Sequence, residues 1–179
     1  MIKVITIVTG MLEENCYIIH NDIDALIVDP GDNSDIIISQ IEKLNLNVKG
    51  ILITHYHFDH VGALDDIKTK YSNAVLVDYK TKEDKLQIGT FEFKKIETFG
   101  HSSDSVSYYF DNNNVLFTGD FVFKETIGNI EENLEDEMAN SLNVFKYMPE
   151  SVVCYPGHGE STTVGHELKN NPFLRGILC

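Results

Sequence analysis

The segment Thr54-His55-Tyr56-His57-Phe58-Asp59-His60 packs three imidazoles and a carboxylate into seven residues. Imidazole nitrogens and carboxylate oxygens are ligands for zinc, iron or manganese. Alternate residues leaving a strand can converge on one ion while a neighbouring pair serves a second. Three further candidates stand apart: His101 in Phe99-Gly100-His101-Ser102, Asp120 in Thr118-Gly119-Asp120, and His158 in Pro156-Gly157-His158-Gly159. Each follows a glycine, which permits the tight turn that ligands from distant segments need in order to meet. Five of the seven histidines fall in these segments, a concentration that chance scatter over a surface does not produce.

These residues need a scaffold. The β-branched runs Lys3 to Val8, Cys16 to Ile19 and Ala25 to Val28 read as an opening antiparallel meander, closed by the turn Asp29-Pro30-Gly31-Asp32. Ser34 to Leu44 places Ile37, Ile41 and Leu44 at helical spacing behind a Ser34 cap. Gly50 to Thr54 is too short and apolar for a helix and suits a strand buried on both faces, delivering His55 at its C-terminal end. A helix is predicted over Ala63 to Tyr71, then strands at Ala74 to Val77, Phe91 to Thr98, Val106 to Phe110 and Val115 to Thr118. Leu134 to Met148 carries Leu134, Met138, Leu142, Phe145 and Met148 on one helical face. A last strand, Ser151 to Tyr155, and a short C-terminal helix complete one domain of mixed sheets with helices outside, residues 1–179.

At 179 residues with 42% hydrophobic and 23% charged side chains, the chain can bury an ordinary core, which excludes disorder. Fourteen Lys and Arg against 28 Asp and Glu leave a net charge of -14, which repels phosphate backbones and anionic lipid, so neither nucleic acid nor membrane is an expected partner. Cys16, Cys154 and Cys179 form no close pair, and no signal-peptide pattern or membrane span is present, so a cytoplasmic location is expected. The cysteines read as small core or terminal residues, and His20 and His166 as surface residues.

The motif His-x-His-x-Asp-His, followed in order by His101, Asp120 and His158, resembles the metallo-β-lactamase superfamily. The likeness runs from Asn15-Cys16-Tyr17 through Asp29-Pro30-Gly31 to Thr162-Thr163 and Asn171-Pro172-Phe173-Leu174, and is nearest the small, single-domain glyoxalase II type of hydrolase. It implies a mixed α/β (α+β) fold, a four-layer αββα sandwich with a metal site at one sheet edge. It also implies that His55, His57 and His101 hold one metal, that Asp59, His60 and His158 hold another, and that Asp120 bridges them. Two divalent ions, zinc first with iron or manganese as alternatives, would share a water and lower its pKa from ~15.7 toward neutrality. Asp59 and Asp120 would be the catalytic carboxylates, and a small-molecule thioester or ester of the hydroxyacylglutathione type the substrate.

The resemblance also separates relatives. Secreted β-lactamases usually carry Cys where Asp120 stands, flavo-diiron proteins place Glu at His57, and nucleic-acid-cleaving members need a basic channel. Full-length glyoxalase II enzymes grip glutathione with a further helical domain, whereas this chain stops soon after Leu174. Small relatives often read Arg-Gly-Ser-Ile-Gly-Arg-Thr-Asp where this chain has Lys124 to Glu131, so Asn129 replaces an Arg. Lys124, Asn129 and Arg175 are the candidate substrate-binding residues. Asp29 is a candidate support for a ligand histidine, and Tyr56 and Phe58 are expected to pack or line the cleft. Competing readings are a persulfide dioxygenase-like enzyme holding one iron through His55, His101 and Asp120, a lactonase, and a non-catalytic metal-binding module. Oligomeric state has no signal in the sequence.

Overall fold

The structure, a computed structural model, describes residues 2–175. Its first sheet has the order β1 (Lys3–Thr9), β2 (Glu14–His20), β3 (Asp24–Val28), β4 (Asn47–Leu52) and β5 (Val75–Val77). The opening meander is antiparallel, and pairing turns parallel from β3 onward. Parallel neighbours need crossovers. They are supplied by α1 (Ser34–Lys43) between β3 and β4, and by α2 (Phe58–Val61) with α3 (Leu64–Lys70) between β4 and β5.

The second sheet has the order β13 (Thr162–Thr163), β12 (Val153–Pro156), β9 (Val115–Gly119), β8 (Val106–Phe110), β7 (Phe91–Glu97) and β6 (Lys85–Ile88). Between β9 and its parallel neighbour β12 come a hairpin, β10 (Val122–Phe123) with β11 (Thr126–Ile127), and the helix α4 (Glu135–Lys146). The chain continues through α5 (Val164–Asn170) and α6 (Pro172–Arg175).

The period of two along the strands sorts side chains into layers. Tyr17, Ile19, Leu26, Val28 and Leu52 point inward and meet Phe93, Tyr108, Phe110 and Phe117 of the opposite sheet. Their neighbours Cys16, Ile18, Ile27 and Ile51 point outward and are covered by Ile37, Ile41 and Ile67 from the first helices. Leu116 and Cys154 on the far face lie under Met138, Leu142 and Phe145 of α4. Each such side chain stabilises the sandwich by about 1.5–3 kcal/mol. Three apolar layers between two sheets and two sets of helices make the four-layer αββα arrangement of a single domain.

Several local expectations change. Ser34 is the first helical residue and donates to Asp66, while the cap position is held by Asn33 at φ 51° without a side-chain bond. Leu44 lies past the last turn of α1 and is exposed, because Leu46 takes the buried place below Ile41. His20 is buried, not on the surface, and its Nδ1 accepts from the Asp22 amide. His166 is half-buried and bonded to Glu125. The strands β6, β10, β11 and β13 were not expected: they are two to four residues long and lack an apolar run. Cys16 and Cys154 are buried thiols, as expected, and Cys179 lies outside the described residues. Among the described residues no helix is long and apolar enough to cross a membrane.

The sheets are tied together at one edge. The Asn15 amide donates to Gly157 O at 2.7 Å, its side chain to Pro156 O and Gly159 O, and Tyr17 Oη to Pro156 O at 2.6 Å. Val106 N donates to Thr54 O, and the Tyr108 hydroxyl faces Ile53 O and Val77 O. These bonds join the loops that carry the candidate ligands to the core strands.

Candidate metal centre

All seven candidate ligands gather at that edge. His55 and His57 follow β4, Asp59 and His60 lie on α2, His101 sits between β7 and β8, Asp120 follows β9, and His158 follows β12. His55 Nε2 lies 3.0 Å and His101 Nε2 2.9 Å from the same atom, His57 Nδ1. One ring nitrogen carries at most one proton, so it cannot satisfy both neighbours. Three nitrogens closing on one point are the donor set of a cation.

A second convergence adjoins it. His60 Nε2 is 3.3 Å from Asp120 Oδ1 and 3.8 Å from Asp59 Oδ2, and His158 Nε2 is 3.2 Å from Asp59 Oδ2 and 3.7 Å from Asp120 Oδ2. Asp120 Oδ2 also stands 3.6 Å from His101 Nε2, so this carboxylate faces both groups. Ligand atoms of His55, His57 and His101, and those of Asp59, His60 and His158, lie within 4.8 Å of one another in each set. His60 Nε2 and Asp120 Oδ1 are buried without a hydrogen-bond partner. Orphaned groups of this kind cost about 1–3 kcal/mol each. A divalent cation between them would satisfy both, so the residues fit a metal.

The other ring nitrogens explain the orientation. His55 Nδ1 is 3.1 Å from Thr54 Oγ1, whose own proton is committed to Asp29 Oδ2 at 2.6 Å, so the imidazole must donate. His60 Nδ1 donates to Asp29 Oδ2 at 3.1 Å, His101 Nδ1 to Asn129 O at 2.8 Å, and His158 Nδ1 to Leu12 O at 3.1 Å. With Nδ1 protonated in all four rings, each Nε2 turns a lone pair toward the centre. Gly157 allows the close approach: a Cβ there would overlap Asp120 Oδ1 and the His60 ring.

Burial, with His60 and the other imidazoles facing it, pushes His55 down to about 2. Burial pulls His60 the same way, but the carboxylates of Asp120 and Asp29 beside it more than offset this and raise it to about 11. Burial raises Asp120, yet His60 facing it and the other imidazoles around it bring it down to about 2. A proton on His60 Nε2 and a divalent cation are therefore alternatives at the same point.

Asp29, expected to support a ligand histidine, accepts from His60 Nδ1 and holds a left-handed backbone at φ 47°. Tyr56 turns its hydroxyl to Asp78 at 2.6 Å, and Phe58 is exposed beside the ligands. Of the candidate substrate-binding residues, Asn129 reaches the centre through its carbonyl. Lys124 Nζ pairs with Glu160 at 2.6 Å, and Arg175 Nε donates to Lys169 O. Among the described residues no bond joins Lys124 or Arg175 to the ligands. Sequence reasoning missed Thr54 and Glu14. The Glu14 carboxyl is buried behind the centre, bonded to Thr9 and 3.8 Å from His60 Nδ1, and burial and Asp29 raise it to about 9. An acid inside a strand as apolar as β2 was the available signal.

The family model of the metallo-beta-lactamase superfamily matches residues 9–89 and 77–158. A probable metallo-hydrolase of Streptococcus pyogenes is 30% identical, aligned over 97% of this chain and 91% of its own. The hydroxyacylglutathione hydrolase GloC of Haemophilus influenzae is 29% identical over 90% of this chain and 93% of its own. Among solved structures, that of the B3 metallo-beta-lactamase BLEG-1 superposes with a TM-score of 0.91 at 31% identity, covering 96% of this chain and 99% of that one.

Proposed function

The chain belongs to the metallo-beta-lactamase superfamily, and we propose that within it the protein is a binuclear hydrolase of small thioesters of the hydroxyacylglutathione type. The observation that carries this reading is the double convergence of imidazole lone pairs on either side of Asp120, with His60 Nε2 and Asp120 Oδ1 left unpartnered between them. His55, His57 and His101 would hold one ion and Asp59, His60 and His158 the other, and Asp120, which faces imidazoles of both sets, would serve both. When bound, two divalent cations, zinc first and iron or manganese otherwise, lower the pKa of a shared water and polarise the scissile carbonyl.

The chain's own residues do the rest. Asp59 and Asp120 orient the attacking water by accepting from it. Asp29, Thr54, Asn129 and Leu12 keep the four Nδ1 protons out of the centre, so that no N–H faces an incoming carbonyl oxygen. A thiolate leaves without full protonation, so the chain need supply no acid, which favours a thioester over an amide. Lys124, Asn129 and Arg175 stay the candidate grips on a polar end of the substrate. The buried free thiols Cys16 and Cys154 suit a cytoplasmic, reducing compartment.

The likeness to a B3 metallo-beta-lactamase supports a second reading, hydrolysis of a β-lactam by the same residues. One experiment addresses both. Protein of measured metal content is assayed on S-lactoylglutathione and on a chromogenic cephalosporin, beside Asp120→Ala. Thioester turnover with two ions per chain, lost in the variant while its circular dichroism is unchanged, is the expected result. Cephalosporin turnover alone would replace the thioesterase reading, and undiminished thioester turnover by Asp120→Ala would overturn the bridging and water-orienting roles of that carboxylate.

A further inference from the structure

Beside Asp59 opens a cavity of about 290 Å³ between the β1–β2 turn and the start of α2. Met11, Leu12 and Phe58 line it and are 98%, 53% and 75% exposed. Three large apolar side chains held in water beside polar ligands are costly unless something covers them. Their exposure is built in. Gly10 and Glu13 take left-handed backbones at φ 64° and 55°, which throws Met11 and Leu12 outward, and Leu12 O is fixed by the His158 imidazole. Phe58 is set between His57 and Asp59, so one side of the apolar ledge belongs to the segment that carries candidate ligands.

The charge of the cavity selects its occupant. Asp32 and Asp59 supply its carboxylates, and no Lys or Arg is among the described residues that line it. Asp32, the carboxylate not assigned to an ion, would repel a carboxylate at this wall, whereas an alkyl group would cover the ledge without that cost. A thioester of glutathione bears carboxylates on its thiol half only. We propose that this cavity is the acyl subsite, that its carboxylates exclude a dicarboxylic acyl half, and that its apolar ledge favours a short alkyl chain over an acyl group bearing a hydroxyl, which would be desolvated there without a partner. The proposal rests on the thioester hydrolase reading and keeps its glutathione thiol half, but exchanges the hydroxyacyl half for an alkyl one. A volume at the lower edge of the ~300–1,000 Å³ typical of ligand pockets sets the chain at a few carbons.

The test keeps the thiol constant and varies the acyl group. S-acetyl-, S-lactoyl- and S-hexanoylglutathione are compared on the metal-loaded protein and on the variants Phe58→Ser and Leu12→Ser, each of measured metal content. In parallel, saturation-transfer NMR follows the thioether S-hexylglutathione on chelator-treated protein. The subsite requires kcat/KM for the hexanoyl ester to exceed that for the acetyl ester about tenfold, the effect of roughly two methylenes' worth of burial. In the variants that ratio should fall to about one, and saturation should reach the hexyl protons ahead of the glutathione protons. If lactoyl is preferred, or the ratio survives in both variants, the acyl subsite is wrong while the hydrolase stands. If no thioester is hydrolysed, the hydrolase reading falls, and NMR judges the cavity alone: unsaturated hexyl protons would overturn it.

Discussion

Asp29→Asn isolates one charge. Asp29 Oδ1 accepts from the Thr54 amide at 2.7 Å, and Oδ2 accepts from Thr54 Oγ1 at 2.6 Å and from His60 Nδ1 at 3.1 Å. Thr54 Oγ1 in turn accepts from His55 Nδ1. One carboxylate therefore orients an imidazole in each half of the centre. Asn has the same shape and tolerates the left-handed backbone that Asp29 adopts at φ 47°, so the loop should keep its path. The variant loses the charge and sets an NH2 where Oδ2 faced two donors. A hydrogen bond to a charged group contributes about 1.5–3 kcal/mol, and tenfold in an equilibrium corresponds to about 1.4 kcal/mol. The His60 limb should therefore lose about 10- to 100-fold in metal affinity, the range known for partners behind a ligand histidine. Chelator competition followed by elemental mass spectrometry measures this, with circular dichroism as the control for folding. Thr54→Val severs the His55 limb and should weaken the ion held by His55, His57 and His101 by about tenfold. If both dissociation constants of the Asp29→Asn protein stay within threefold of the parent, the idea that Asp29 orients the ligands is refuted.

Two further outcomes follow from the interior. Tyr108→Phe removes the hydroxyl shared by Ile53 O and Val77 O at 2.7 and 2.9 Å inside the core. The loss should be about 1–3 kcal/mol, a fall of several degrees in the melting temperature of a chain this size, and an unchanged midpoint would show that those carbonyls find other donors. In chelator-treated protein, Glu14 and His60 have folded pKa values of about 9 and 11, above their ordinary 4.5 and 6.5. Between pH 6.5 and 9 the folded chain thus binds more protons than the unfolded one, and stability falls as pH rises. Melting temperatures at those two pH values should drop more in the chelated than in the metal-loaded protein, whose ion replaces the His60 proton. A rise in the chelated protein contradicts the assignment.

What the sequence could disclose depended on how each feature is encoded. The candidate ligands were legible because imidazole and carboxylate chemistry is carried by residue type, and His55, His57, Asp59, His60, His101, Asp120 and His158, named from the sequence, do meet at one edge of the sandwich. The sandwich was legible because runs such as Ile51-Leu52-Ile53 suit only a strand covered on both faces, and their side chains divide between two cores. Short strands were not, since β10, β11 and β13 hold two residues each and exist because neighbouring strands offer them partners. His20 misled for a related reason: a histidine at a strand end resembles a surface residue until the Asp22 amide closes over it.

The orientation of the ligands was the least legible part, and it follows from which groups do the orienting. Leu12 and Asn129 act on His158 and His101 through backbone carbonyls, which every residue possesses. No residue type at either position could signal the role, and no substitution that preserves the backbone removes it. This also reconciles the departure at position 129. An Asn in place of the Arg of small relatives changes the side chain, the candidate substrate contact, while the carbonyl that accepts from His101 Nδ1 is untouched. On the proposed reading, substrate choice and ligand orientation are thus separable: side chains such as Phe58 and Asn129 could vary with the substrate, while the groups that orient the candidate ligands lie in the backbone, in Thr54 and in Asp29.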